Sequence, residues 1–181
     1  MAGSTVSNRG DTPSVFRRRR RWPLVGALAV AGLAGVLAIW WFLWVPNWRP
    51  PLEEGERYGI DVSHHQGVID WRRVASDGIT FAYIKATEGG DFTDNRFDEN
   101  WRGAQDAGLD RGAYHYFTLC TPGADQARHF IHVAPPESDA LPPAVDLELA
   151  GNCSARPSPS EVKKQLGDFI RLVEEAWGRE V

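Results

Sequence analysis

The 181-residue chain is 43% apolar with a formal net charge of −4, which suffices for one domain with a real core plus an appendage. The charge is unevenly divided: residues 1–23 hold six arginines and one aspartate, and the other 14 basic and 23 acidic residues all lie beyond position 45. An acidic main domain argues against nucleic acid as a partner, because phosphate contacts need a basic surface.

Residues 1–16 are small and polar without periodicity, the composition of a disordered tail. Arginines fill 17–21, and residues 24–45 contain no charge. As a helix that stretch is about 33 Å long at ~1.5 Å per residue, a match to a hydrocarbon core of about 30 Å. The arginines place the N-terminus in the cytoplasm, and Trp40, Trp41 and Trp44 gather where an interfacial aromatic belt belongs. A cleaved signal peptide would have an apolar region of only about 7 to 15 residues followed by a small-residue cleavage site. Pro46-Asn47-Trp48-Arg49-Pro50-Pro51 offers no such site, so an uncleaved anchor is expected. The chain divides into a cytoplasmic tail (1–23), a transmembrane helix (24–45), a stiff polar linker (46–57) and an outer domain (58–181).

The outer domain opens with a short β-rich run, 58–62, interrupted by Asp61 and closed by Ser63-His64-His65-Gln66-Gly67. Asp61 either caps the following turn or carries chemistry, and its place inside the run favours the second. Adjacent histidines on an extended segment point opposite ways and no third ligand follows at a usual spacing, so no metal is expected at His64 and His65. Residues 79–86 form a second strand with Phe81, Tyr83 and Lys85 on one face, and a glycine-bearing loop from Thr87 lacks any phosphate-cradle spacing. Phe97, Trp101, Ala104 and Ala107 fall on helical spacing; a third strand spans 112–117, and a helix 122–133. Ser158-Pro159-Ser160-Glu161 starts the last helix, whose apolar stripe is Val162, Leu166, Phe169, Ile170, Val173 and Trp177.

The fourth strand, 144–149, follows two prolines and is too short and apolar for an amphipathic helix. Side chains alternate along a strand, so Asp146 and Glu148 share one side while Val145, Leu147 and Leu149 take the other. Two carboxyls held together in an apolar strand cannot both ionise easily, which separates them into an acid and an anion. A salt bridge, a metal site or an exposed strand would also account for the pair.

Strand and helix alternate four times, the pattern of a parallel sheet or barrel, in which catalytic groups collect at the C-terminal ends of the strands. Asp61, Asp146 and Glu148 then converge at one mouth. Lys85 and Glu88 leave the second strand at the same end and His115, Tyr116 and Phe117 the third, supplying hydrogen-bonding and stacking groups suited to a sugar. Cys120 and Cys153 follow the third and fourth strands; neighbouring strands bring both to one rim, and outside the cytoplasm an even cysteine count favours a disulfide.

Five stretches carry a resemblance in register: Gly-Ile-Asp-Val-Ser-His-His-Gln-Gly-Val-Ile-Asp-Trp (59–71), Phe-Ala-Tyr-Ile-Lys-Ala-Thr-Glu-Gly (81–89), Asp94-x-x-Phe97-x-x-Asn100-Trp101, Gly-Ala-Tyr-His-Tyr-Phe (112–117) and Pro-Ala-Val-Asp-Leu-Glu (143–148). In this order they resemble the strands and loops of the glycoside hydrolase family 25 lysozymes. The resemblance implies an irregular TIM-like (β/α) barrel and cleavage of the β-1,4 bond between N-acetylmuramic acid and N-acetylglucosamine in peptidoglycan, without a cofactor. It implies Glu148 as the general acid, Asp146 as the acid beside it and Asp61 as the acid on the first strand. Val181 falls where the family's fifth strand begins, so about four βα units are expected. A peptidoglycan-binding or scaffold domain without hydrolysis is the second reading of such a barrel.

Overall fold

The structure is a computed structural model that describes residues 22–45, 48–149 and 154–181. The arginine run and Cys153 lie outside the described residues. Helix α1, Trp22–Trp44, has no charged residue and bears exposed leucine, valine and tryptophan side chains on every side, with Trp40 and Trp44 stacked at 5.3 Å. A helix apolar all round buries its surface in a core or in lipid. This one is long and apolar enough to cross a membrane, its apolar window spanning Gly26–Trp44.

Residues Leu52–Val181 form a separate compact unit. Its parallel strands β1 (Gly59–Val62), β2 (Phe81–Glu88), β4 (Asp110–Tyr116) and β5 (Ala144–Asp146) lie side by side in the order β1-β2-β4-β5. A two-residue strand, β3 (Phe92–Thr93), folds back antiparallel on β2. Helices α2 (Trp71–Ser76), α3 (Phe97–Asp106), α4 (Gly123–Val133) and α5 (Pro159–Trp177) follow β1, β3, β4 and β5 in the chain. The α/β alternation read from the sequence is therefore present, but the sheet does not close: among the described residues β1 and β5 each pair on one side only.

Several boundaries differ from the sequence reading, among them β4, which starts two residues earlier than expected. Strand β2 starts and ends two residues later than expected: its ladder with β1 begins at Phe81, next to a Thr80 amide that donates to the Tyr58 carbonyl, and pairing with β4 continues through a bulge to Glu88. The hairpin to β3 was not anticipated, since two residues carry no periodicity. The expected strand 144–149 stops at Asp146, so Leu147 and Leu149 are 40% and 67% exposed and form no buried face.

The core lies between the sheet and the helices. Ala82, Ile84 and Ala86 of β2 and Ala113 of β4 supply a small-residue floor onto which Phe97, Trp101, Phe130, Phe169 and Trp177 pack. Phe130 and Phe169 are 6.0 Å apart with their rings tilted, and Trp177 stacks on Phe130. Helix ends follow ordinary capping chemistry: Asp70 accepts from the Arg73 amide and Ser158 from the Glu161 amide, as the Ser-Pro-Ser-Glu start predicts. Asp70, not Asp61, is thus the cap of α2. At the crossing of α4 and α5 a Cβ on Gly123 would meet the Gln165 carbonyl at 1.8 Å, so only glycine permits that approach.

Candidate active site

The site is built on the sheet face that carries no helices. In a parallel ladder, paired residues project to the same side, and alternate residues project to opposite sides. Asp61 pairs with Tyr83, and Tyr83 with Gly112, where a Cβ would stand 2.4 Å from the Tyr83 ring. Gly112 thus makes room for an aromatic ring beside Asp61. The next row is Lys85, Tyr114 and Ala144, and the row above it Glu88, Tyr116 and Asp146.

Lys85 and Glu88 would face opposite ways on a regular strand. Here the register shifts between Lys85 and Thr87, leaving Ala86 as an extra residue, and the bulge turns both charged side chains to the same face. Lys85, a residue only 5% exposed, donates from its ammonium to Glu88 Oε2 at 2.6 Å, and the ammonium sits 4.7 Å from the Tyr116 ring centroid and 5.8 Å from that of Phe92. Ion pairing together with aromatic faces compensates a buried ammonium for lost water.

Asp61, Tyr83, Tyr114, Asp146 and Glu148 line one cavity of about 370 Å³. The three carboxylates picked out in the sequence do meet. Burial, then the neighbouring charges of Glu148 and Asp61, push the Asp146 carboxyl above the usual carboxylate range, against a smaller opposing influence of Lys85. Tyr114 was missed in the sequence. Burial and the surrounding carboxylates Asp61, Asp146, Asp94 and Glu88 raise its phenol, keeping the hydroxyl protonated and able to donate. Tyr83, also missed, donates its hydroxyl to the Pro142 carbonyl at 3.1 Å. Strand alternation is the signal that would have found Tyr114: it stands two positions from both Gly112 and Tyr116.

His115 is placed elsewhere. Flanked by two cleft-facing tyrosines, it points to the helices, is 0% exposed and stacks on Phe169 at 4.8 Å, so the sequence assignment to substrate contact is corrected to an interior role. Gln126 fixes its tautomer. The Gln126 amide nitrogen donates to the Thr118 and Thr121 carbonyls at 2.9 and 2.8 Å, so its oxygen is the acceptor for His115 Nε2–H at 3.0 Å. His115 Nδ1 then accepts from Thr87 Oγ1 at 2.7 Å. Desolvation lowers this imidazole to about 4, so it is neutral at ordinary pH.

At the rim, His64 is held by Asp94, whose side chain is fully buried. Asp94 Oδ2 accepts from the His64 amide at 2.9 Å and pairs with His64 Nδ1 at 2.8 Å, while Oδ1 accepts from the Arg96 amide. No cluster of three metal-ligating side chains occurs among the described residues. Cys120 is exposed just beyond β4, and no free cysteine occurs among the described residues.

The sequence model of the glycosyl hydrolases family 25 matches residues 60–181. Lysozyme M1 of Streptomyces globisporus is 42% identical over 125 residues, covering 66% of this chain and 42% of that protein. YegX of Escherichia coli (strain K12) is 39% identical over 127 residues, 67% of this chain and 45% of its own length. The chain thus spans less than half the length of these relatives. Among solved structures, a family 25 glycosyl hydrolase from Bacillus anthracis superimposes with a TM-score of 0.67 at 37% identity, covering 72% of this chain and 60% of that one. The lysozyme from Streptomyces coelicolor gives 0.64 at 35% identity, covering 71% and 62%. With the match spanning the unit that carries Asp61, Asp146 and Glu148, the chain belongs to glycosyl hydrolase family 25.

Proposed function

We propose that the domain hydrolyses the β-1,4 bond between N-acetylmuramic acid and N-acetylglucosamine in peptidoglycan. The observation that carries this reading is the convergence of Asp61, Asp146 and Glu148 in one cavity beside two tyrosines, in a family whose relatives include proteins named lysozymes. Glu148 protonates the glycosidic oxygen as the bond breaks. Asp146 and Asp61 stabilise the positive charge that develops on the sugar or on its acetamido group. Water supplies the hydroxyl to the anomeric carbon, and its proton restores Glu148. The raised Asp146 carboxyl, pushed up by burial and then by the charges of Glu148 and Asp61, holds its proton more readily than a free carboxyl does. Lys85, Glu88, Tyr114 and Tyr116 line the sugar path; His115 supports it from behind. No cofactor takes part.

In this reading α1 is an uncleaved anchor, the arginine run remains in the cytoplasm, and the domain faces peptidoglycan outside. A disulfide between Cys120 and Cys153 pins the loop after Glu148. Protease added from the outer side then removes the domain and spares the tail, whereas cleavage of the tail alone reverses the orientation.

The activity test is digestion of purified peptidoglycan by the full-length protein followed by muropeptide analysis. Reducing termini on muramic acid are expected. Release of peptides from intact glycan, or no cleavage by a folded protein, overturns the assignment.

A further inference from the structure

A second cavity, about 660 Å³ and larger than the first, lies on the outer side of the β3 hairpin, where its charged lining is Asp91, Asp125, Arg128, His129 and His132. Four of these stand at positions 125, 128, 129 and 132 of α4, a spacing that puts them on one stripe of the helix surface. The opposite side of the helix, Gln126, Ala127 and Phe130, is fully buried, so the stripe is held rigidly. Asp91 comes from the turn between β2 and β3, where a Cβ on Gly90 would stand 3.0 Å from the Thr121 methyl, which closes the cavity floor.

The hairpin is a shared wall. On one side the Phe92 ring lies 5.6 Å from His64 and 5.8 Å from the Lys85 ammonium, at the mouth of the carboxylate cleft. On the other, His129 Nε2 is 3.2 Å from the Phe92 carbonyl and 3.3 Å from Thr93 Oγ1, joining α4 to the hairpin. Arg128 pairs with Asp125, whereas the side chains of Asp91 and His132 make no hydrogen bond or ion pair among the described residues. The recess is open to solvent, the Arg128 and Asp125 side chains being 65% and 50% exposed, and the turn from another element sets Asp91 beside the charged stripe of α4.

We propose that this outer cavity binds the peptide substituent of the glycan chain, a short peptide bearing both free carboxylates and an ammonium group. The proposal rests on the peptidoglycan reading above. Arg128 and His132 meet carboxylates of the peptide, and Asp91 meets its ammonium. A glycan strand lying in the cleft has to send one substituent past the hairpin, where Phe92 meets His64 and Lys85 on one side and His129 on the other. The cavity thereby favours peptide-bearing over bare glycan.

The test has two arms. In the first, the full chain in detergent micelles, with histidine side chains isotopically labelled, is titrated with a free stem peptide that ends in D-alanine and contains a diamino acid. Resonances of His129 and His132 are expected to shift saturably, and Arg128→Ala with His132→Ala to weaken binding about tenfold, as loss of a charge-assisted contact does. In the second, kcat/KM is compared on peptide-bearing glycan and on the same glycan stripped of peptide. The double variant should lose about tenfold on the first substrate alone. Absence of a saturable shift in the wild-type protein, or equal losses on both substrates, overturns the proposal. If neither glycan is cleaved, the hydrolase reading fails on its own, and the peptide titration still decides the cavity.

Discussion

The two faces of the sheet in residues Leu52–Val181 are made from alternate residues of the same strands, yet they hold opposite kinds of chemistry. The helix side is apolar and closed: Ala82, Ile84, Ala86, Ala113 and Phe169 are all 0% exposed, and its one imidazole, His115, has both ring nitrogens hydrogen-bonded. The cleft side carries Asp61, Lys85, Glu88, Asp146 and three tyrosines, with a carboxyl and a phenol both pushed upward by crowding and burial. Polar groups on the first face are costly to bury and His115 is paired at both nitrogens, although the Asn100 amide and Trp177 indole nitrogens have no hydrogen-bond partner among the described residues; the second face accumulates groups that repel one another. Charges that raise each other's protonation free energy do not help folding. They suit a site whose work is to hold and release a proton.

This contrast separates rate from stability, and substitutions on each face should move one without the other. The largest effect on rate is expected from Glu148→Gln, which removes the proposed proton donor and, on the proposed reading, should lower kcat on peptidoglycan by about 10² to 10⁴. Because Glu148 lies beyond β5 and is exposed, its urea midpoint should stay at the wild-type value. A variant that keeps wild-type turnover removes Glu148 from the mechanism. On the other face, Phe169→Ala should destabilise the domain by about 3 to 5 kcal/mol, since it empties the space among His115, Phe117 and Phe130. Any folded fraction should retain turnover. Denaturant unfolding checks the first statement and activity per folded molecule the second.

The pH dependence of stability tests the helix face further. His115 is lowered to about 4 from an unfolded value of 6.5, so the unfolded chain binds the proton more readily. Stability from the neutral buried imidazole is fully present above pH 6.5, falls as pH drops through that value, and is exhausted near pH 4. The loss over this window should amount to about 3 kcal/mol. His115→Gln should flatten that slope in urea unfolding measured across the same range. An unchanged slope places the proton elsewhere.

Much of this division could be read in the sequence, and its failures have physical causes. Asp61, Asp146 and Glu148 stood out because a carboxylate inside an apolar run needs a reason. The order of strands and helices followed from periodicity and caps such as Ser158. The pairing of Lys85 with Glu88 in one cleft depended on the bulge at Ala86, which no pattern of side-chain types announces. Assigning His115 and Tyr116 to the same mouth ignored strand alternation, and that cost the recognition of Tyr114. Extending β5 to Leu149 followed from apolarity alone; pairing ends at Asp146, whose carbonyl accepts from the Phe117 amide at 2.9 Å.

The smallest predicted effect is the sharpest test of the cleft face, because it concerns one oxygen. Tyr114 stands in the row between Lys85 and Ala144 and lines the cavity with all three carboxylates. Its raised phenol cannot act as a base, so its contribution is a donated hydrogen bond, either to a carboxylate or to the substrate. Tyr114→Phe keeps the ring and its packing and deletes only that donor. Loss of one hydrogen bond to a charged acceptor amounts to about tenfold in rate. The same deletion relieves nothing on the helix side, so the urea midpoint should hold. It also removes a donor that stabilises the anionic forms of its carboxylate neighbours, so the acidic limb of the kcat/KM profile should move to higher pH. A tenfold loss with that displacement assigns Tyr114 to the reacting groups. A stability loss at unchanged turnover returns it to the core.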